Sequence, residues 1–199
     1  MKIGIIIRGI SFGHGKADFR RCANNISTNL YEPLIEAGND VSVYVCTYNH
    51  NHIDELNEIY EPKNLVLLPF DGSNQITTFI DSLKMVEHED LDFIFITRFD
   101  LNFLKKVTES GNIDYSKTNF MYPPHEPWLE YEFVSDLVIW LPKKHIPNMI
   151  QAAEYLLANP PRPFVDMHGI YKCLKLFLPE NEIHFQHPNE NLYFVELVR

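Results

Sequence analysis

An α/β fold on a mostly parallel central sheet is what this sequence predicts, and three observations carry the prediction. Short apolar runs recur at 1–8, 41–46, 65–70 and 93–97, the first of them rich in β-branched residues. Segments with apolar residues at three-to-four spacing lie between them. Each run ends on turn formers or charged residues: Gly9, Thr47-Tyr48-Asn49, Asp71-Gly72-Ser73 and Arg98-Phe99-Asp100. Strands that alternate with helices run parallel through right-handed crossovers, so a three-layer arrangement follows, with helices covering the sheet.

The elements follow in order. Residues 1–8 read as a buried first strand, and the glycine-rich break from Gly9 to Gly15 follows it directly. Phe19, Cys22, Ala23, Ile26, Leu30 and Leu34 mark a long helix that Pro33 kinks or restarts, with Gly38 at its C-cap. A second strand covers 41–46, a short helix 54–60, and a third strand 65–70. Ser73 or Asn74 caps a helix with Ile76, Phe79, Ile80 and Leu83 on one face, and 93–97 is a fourth strand buried on both faces. Beyond Asp100 the rhythm loosens into a mixed arrangement. Strands are predicted at 120–122 and 137–141, with a stiff loop Pro123-Pro124-His125-Glu126-Pro127-Trp128 between them. Ile146, Met149, Ile150, Ala153 and Leu157 mark a helix that the proline-rich stretch 159–163 ends, before a helix at 165–177, a strand at 183–185 and a closing segment at 192–198.

A chain of 199 residues fits one domain, 1–199, divided for function into halves 1–103 and 104–199. Lys and Arg number 17 against 27 Asp and Glu, a formal net charge of −10, which works against binding a long phosphate backbone. Nucleic acid is therefore not an expected partner. A single anionic ligand remains compatible, where a few arginines or a bound divalent metal reverse the local sign. Cys22, Cys46 and Cys173 lack metal-site spacing and read as reduced core residues. Arg8 interrupts the first apolar run too early for a signal-peptide core or a membrane span, so a cytoplasmic location is expected.

The sharpest chemical signal is the run from Asp92 to Phe103. An apolar strand there ends abruptly in Arg98, Asp100 and Asn102, placing a carboxylate at the carboxyl edge of a central strand, where open α/β sheets bind ligands. Asp100 and Asn102 are hard oxygen donors of the kind Mg²⁺ or Mn²⁺ takes when phosphate and water fill the other positions. The alternative is a strand-end turn in which Arg98 pairs with Asp100.

This stretch resembles the metal-binding region of GT-A nucleotide-sugar glycosyltransferases, where an apolar strand ends in an acidic D-x-D motif. The likeness is to short microbial and viral members with an Arg-x-Asp-Leu variant, here Arg98-Phe99-Asp100-Leu101. It extends loosely to the first strand with Arg8-Gly9, the Thr47-Tyr48 strand end and Ser135-Asp136 before a strand. Arg98 stands where the first Asp of the motif would be. The resemblance implies a metal-dependent glycosyltransferase with a Mn²⁺ or Mg²⁺ cofactor, a nucleoside diphosphate sugar as donor, most simply a UDP-sugar, and a glycan or glycoprotein acceptor. It also implies a crevice lined by Arg8, Gly9, Thr47, Tyr48, Asp71 and Arg98, with the metal on Asp100, helped by Asn102 or His168.

Asp136 is the candidate base for an acceptor hydroxyl, or a partner of the donor sugar. His168, in a D-x-H pair with Asp166, could complete a metal shell, although a lone histidine is more often structural. The Gly13-His14-Gly15 turn lacks a full phosphate-binding pattern, and Arg20 and Arg21 read as solvated helix residues. Two rivals stand beside this reading: a metal-dependent phosphohydrolase, which would need a richer carboxylate cluster, and a catalytically silent nucleotide or carbohydrate-binding module.

Overall fold

Local sequence builds the first half of the sheet strand by strand. A computed structural model describes residues 1–13, 17–110, 112–124, 129–135, 137–159, 167–186 and 194–198. The chain runs β1 (Lys2–Gly9), α1 (Arg20–Ile26), α2 (Glu32–Glu36), β2 (Asp40–Tyr48), α3 (Ile53–Tyr60), β3 (Asn64–Leu68), α4 (Gln75–Val86) and β4 (Phe93–Arg98). It continues through β5 (Leu101–Phe103), β6 (Thr118–Phe120), β7 (Ile139–Pro142), α5 (Ile146–Ala158), α6 (Ile170–Leu174), β8 (Ile183–Phe185) and β9 (Val195–Leu197).

Seven of these strands form one sheet in the order β3-β2-β1-β4-β7-β6-β8. β1 pairs in parallel with both β2 and β4, and β2 in parallel with β3. β7 breaks the pattern by pairing antiparallel with β4 and β6, and β8 restores a parallel pair with β6. The central β1 is buried at every position from Ile3 to Arg8. Gly4 suits its crowded place there, since a Cβ would lie 2.8 Å from Leu91 Cδ1.

Helices cover both faces. α1, α2 and α3 pack Phe19, Cys22, Ile26, Leu34 and Leu56 against Ile3, Ile5, Ile7 and Phe95 on one side. On the other, α4, α5 and α6 pack Phe79, Met149 and Ile170 against Ile6, Ile94 and Ile96. Between α1 and α2 the helix widens into a π-helical stretch, Ser27–Tyr31. Pro33, two residues further on, is the reason: inside a regular helix its ring would meet the carbonyl four residues back, and the wider turn opens that space. Of the two expected caps of α4, Ser73 and Asn74, the structure uses Asn74, whose side chain accepts from the amides of Ile76 and Thr77.

The second half departs from the sequence reading in three places, the first being the strand expected at 120–122, which is Thr118–Phe120. Residues 101–103, to which the sequence reading gives no element, form β5, which pairs antiparallel with β9 in a separate two-stranded sheet. Asn25 on α1 explains how the edge of β5 is satisfied: it accepts from the Phe103 amide at 2.6 Å and donates to its carbonyl at 3.0 Å, and Asn29 donates to the same carbonyl at 2.9 Å. The helix expected at 165–177 is a 3-10 turn, Met167–Gly169, leading into the short α6. Asp136, Asp166, His14, Gly15, the loop residues 125–128 and most of the proline-rich stretch lie outside the described residues.

Candidate functional site

Because β1 to β4 are parallel, their carboxyl ends reach one edge of the sheet. The strand order reverses between β1 and β4, with β2 and β3 extending one way and β4 standing on the other side. The crevice outside such a reversal is the general ligand position of open α/β sheets. Arg8 and Arg98 are register partners across that pair. Register partners in a parallel pair point to the same face, here the face that carries α4.

A cavity of about 320 Å³ opens at this point, lined by Arg8, Gly9, Tyr48, Thr78, Arg98 and Asp100 among others. Arg8 is only 2% exposed; its guanidinium carbon lies 4.8 Å from the Phe79 ring centre, and Nη1 donates to the Gln75 carbonyl at 3.4 Å. Arg98 grips Asp100 with a two-pronged pair, Nε to Oδ1 at 2.9 Å and Nη2 to Oδ2 at 2.7 Å. Gly9 has a φ of +103°, with no neighbour within 4 Å of where a Cβ would stand, so backbone conformation rather than space calls for glycine.

Thr47 is wholly buried and stands behind the cavity, donating to the Gly9 carbonyl at 2.8 Å. Tyr48 is nearly buried; its hydroxyl bonds Thr78 Oγ1 at 2.8 Å, and its ring lies 5.3 Å from that of the exposed Phe70. A second cavity of about 330 Å³ adjoins the first through Ile10 and Tyr48, and is walled by Ser11, Phe12, Asn49, His50 and Phe70.

Ser11 and His50 stand 2.7 Å apart, the spacing of a nucleophile and its base, but donor accounting excludes that role. His50 Nδ1 accepts from the His52 amide at 3.1 Å, so in the neutral ring the proton is on Nε2, which donates to Ser11 Oγ. Thr47 gives its one hydroxyl proton to Gly9 and must accept from Ser11 at 2.7 Å. The chain therefore runs His50 to Ser11 to Thr47 to Gly9, and its effect is to tie the β1 loop to β2. Burial first, then the nearby His52 and Arg20, hold the His50 pKa below the ordinary histidine range, which keeps the ring neutral.

The remaining sequence candidates are dispersed. Asp71 is exposed in the turn after the edge strand β3. Asn102 turns its amide to Glu196 Oε1 at 3.3 Å on the β5–β9 pair. His168 Nδ1 meets the Val134 carbonyl at 3.0 Å, and the Val134 amide donates back to the His168 carbonyl. The grouping of Asp100, Asn102 and His168 around one ion is therefore not what the structure brings together, because strand pairing and a loop contact engage the latter two. Among the described residues no group of three or more His, Cys, Asp or Glu side chains converges as a metal site. The three cysteines are buried and free of disulfides, and burial raises the Cys22 and Cys46 thiols to about 11 and about 12, away from nucleophilic use.

Sequence reasoning missed Gln75 and Thr78, from the first turn of α4, and Val198, from the far end of the chain. The Asn74 cap was a usable signal for the first two, since it places a helix start at the ligand edge. Nothing local marked Val198, which arrives through the pairing of β9 with β5.

No protein-family description matches this sequence, and no curated protein matches it. Solved structures do share the fold. A protein from Aquifex aeolicus VF5 superposes with a TM-score of 0.52 at 19% identity, covering 96% of this chain and 88% of its own. The 4-diphosphocytidyl-2C-methyl-D-erythritol synthase of Anaerococcus prevotii DSM 20548 superposes at 0.59 with 11% identity, covering 95% of this chain and 90% of its own. At such identities the likeness is one of fold, the mostly parallel, Rossmann-like sheet with helices on both faces. No helix among the described residues is long and apolar enough to cross a membrane.

Proposed function

We propose that this protein is a glycosyltransferase that takes a sugar from a nucleoside diphosphate donor, most simply a UDP-sugar, and passes it to a hydroxyl of a glycan or glycoprotein. The observation that supports the reading most is the pairing of Arg8 with Arg98 at the strand-order reversal, beside Asp100, in one cavity. Guanidinium forks match phosphate oxygens in geometry and charge. The adjoining cavity, with Phe12, Tyr48 and the exposed Phe70, suits the flat base and ribose of the same ligand.

In this reaction the bond from the sugar C1 to the diphosphate oxygen breaks, and the nucleoside diphosphate leaves with the electron pair. The acceptor oxygen bonds to C1 while its proton passes to a base. Arg8 and Arg98 hold the leaving group and draw off its developing charge, while Gly9, fixed from behind by Thr47, lets the backbone lie close to it. Asp136 is the proposed base on sequence grounds. Among the described residues the donor set does not fit a resident metal, since Asp100 is gripped by Arg98 and Asn102 and His168 are engaged elsewhere.

A panel of nucleotide sugars, read by thermal unfolding, tests the reading. A ligand at one hundred times its dissociation constant stabilises by about 2.7 kcal/mol, a clear rise in melting temperature. If no nucleoside diphosphate sugar raises it, the reading fails. A second reading, nucleotidyl transfer, draws on the fold shared with the erythritol synthase. Products separate the two, since glycosyl transfer releases a nucleoside diphosphate, whereas nucleotidyl transfer consumes a nucleoside triphosphate and releases pyrophosphate.

A further inference from the structure

We infer that the charge of the bound diphosphate is met by Arg8 and Arg98 and by no divalent cation, so that Arg98 takes the part a metal ion plays where two carboxylates stand two residues apart. The inference rests on the reading of the cavity as a donor site.

Three observations on the cavity wall carry it. The first is the donor set. A hard divalent ion seeks about six oxygen ligands, and the carboxylate of Asp100 has both oxygens on Arg98, at 2.9 and 2.7 Å. Among the described residues no cluster of ligating side chains stands ready to replace that grip. The second is repulsion: an ion on either Asp100 oxygen would lie beside the guanidinium that already occupies them, in a cleft where Arg98 and Asp100 are only 25% and 24% exposed and water screens poorly. The third is charge. Arg8 and Arg98 both line the cavity, and a diphosphate diester, with one negative charge on each phosphate, meets two guanidinium groups there.

The geometry also shows how Arg98 serves both partners. A guanidinium carries five N–H groups in a rigid fork, and the two turned to Asp100 fix its plane. Asp100 is then a positioning residue: it fixes the plane of the Arg98 fork at the cavity wall.

The test is calorimetric titration of the intact chain with UDP, and separately with inorganic pyrophosphate, each in EDTA and in Mn²⁺. Affinities that agree within about threefold between EDTA and Mn²⁺ support the inference, a difference small on the tenfold-per-1.4 kcal/mol scale. UDP binding that weakens tenfold or more in EDTA overturns it and leaves the donor-site reading standing. Failure of both probes under both conditions overturns the donor-site reading, and the inference with it. Arg98→Gln should weaken both probes roughly ten- to a hundredfold, with no recovery in Mn²⁺, as expected for loss of a charge-assisted bond. A loss under about twofold in that variant counts against the inference. Should Arg98→Gln fail to fold, Arg98→Lys keeps the charge without the fork and should still lose several-fold in affinity.

Discussion

The first four strands and the strands after Asp100 build the same core by different rules, and only the former point to the site through sequence. β1, β2, β3 and β4 all run the same way, so every strand end in that region reaches the ligand edge. Arg8, Tyr48 and Asp100 meet there for that reason. β7 runs the opposite way, pairing Ile139 with Ile96 near the ligand edge and Pro142 with Phe93 at the far one. In such a region the end of a strand carries no fixed address, and candidate residues scatter, as Asn102 and His168 do.

The largest expected effect tests whether the two regions are one cooperative unit. Phe95 on β4 and Trp140 on β7 are fully buried, with ring centres 4.7 Å apart. Replacing either by Ala should cost about 3–5 kcal/mol in urea unfolding, through lost burial and the cavity left behind. The double variant should be less than additive, because the residues are in contact. Two separate unfolding transitions in Trp140→Ala would break the comparison, since the later strands would then unfold by themselves.

Next in size is the contrast in ligand binding. Arg8→Ala should weaken UDP binding roughly ten- to a hundredfold, whereas Asn102→Ala and His168→Ala should leave it within about twofold. Equal losses in all three would show that the site spreads into the later strands. Asn74→Ala should then cost about 1 kcal/mol of stability through the lost cap of α4, read as a lower urea midpoint at unchanged slope. Unchanged stability in that variant would mean that the helix start at the ligand edge is held by packing alone.

The smallest effect is a pH dependence. The His50 pKa is depressed in the folded chain, chiefly by burial, so the unfolded chain binds the proton more readily. His50 thus contributes stability in full above the ordinary histidine pKa of about 6.5, and the contribution is lost as pH falls below it through the depressed folded value. His145, also buried and depressed, adds in the same direction. Melting temperature should fall between about pH 7.5 and about pH 5.5, and fall less steeply in His50→Gln, whose amide can still donate to Ser11. An identical slope in that variant would remove His50 from the explanation.

By itself the sequence determined the elements and the chemistry at their ends, because both are local. Apolar period marks strand or helix within a few residues, Asn74 announces the start of α4, and Arg8, Arg98 and Asp100 stand at the ends of buried runs whatever their neighbours. Only the tertiary structure decided that β4 lies beside β1, which brings Arg8 level with Arg98 and opens the cleft between them. It likewise set β9 against β5, moved Asn102 onto Glu196, and joined Ser11 to His50 as a loop tie. Strand order is settled by which distant edges pair after long loops close, and the orientation of each polar group by the partners that pairing supplies, so neither leaves a mark in any short stretch of chain.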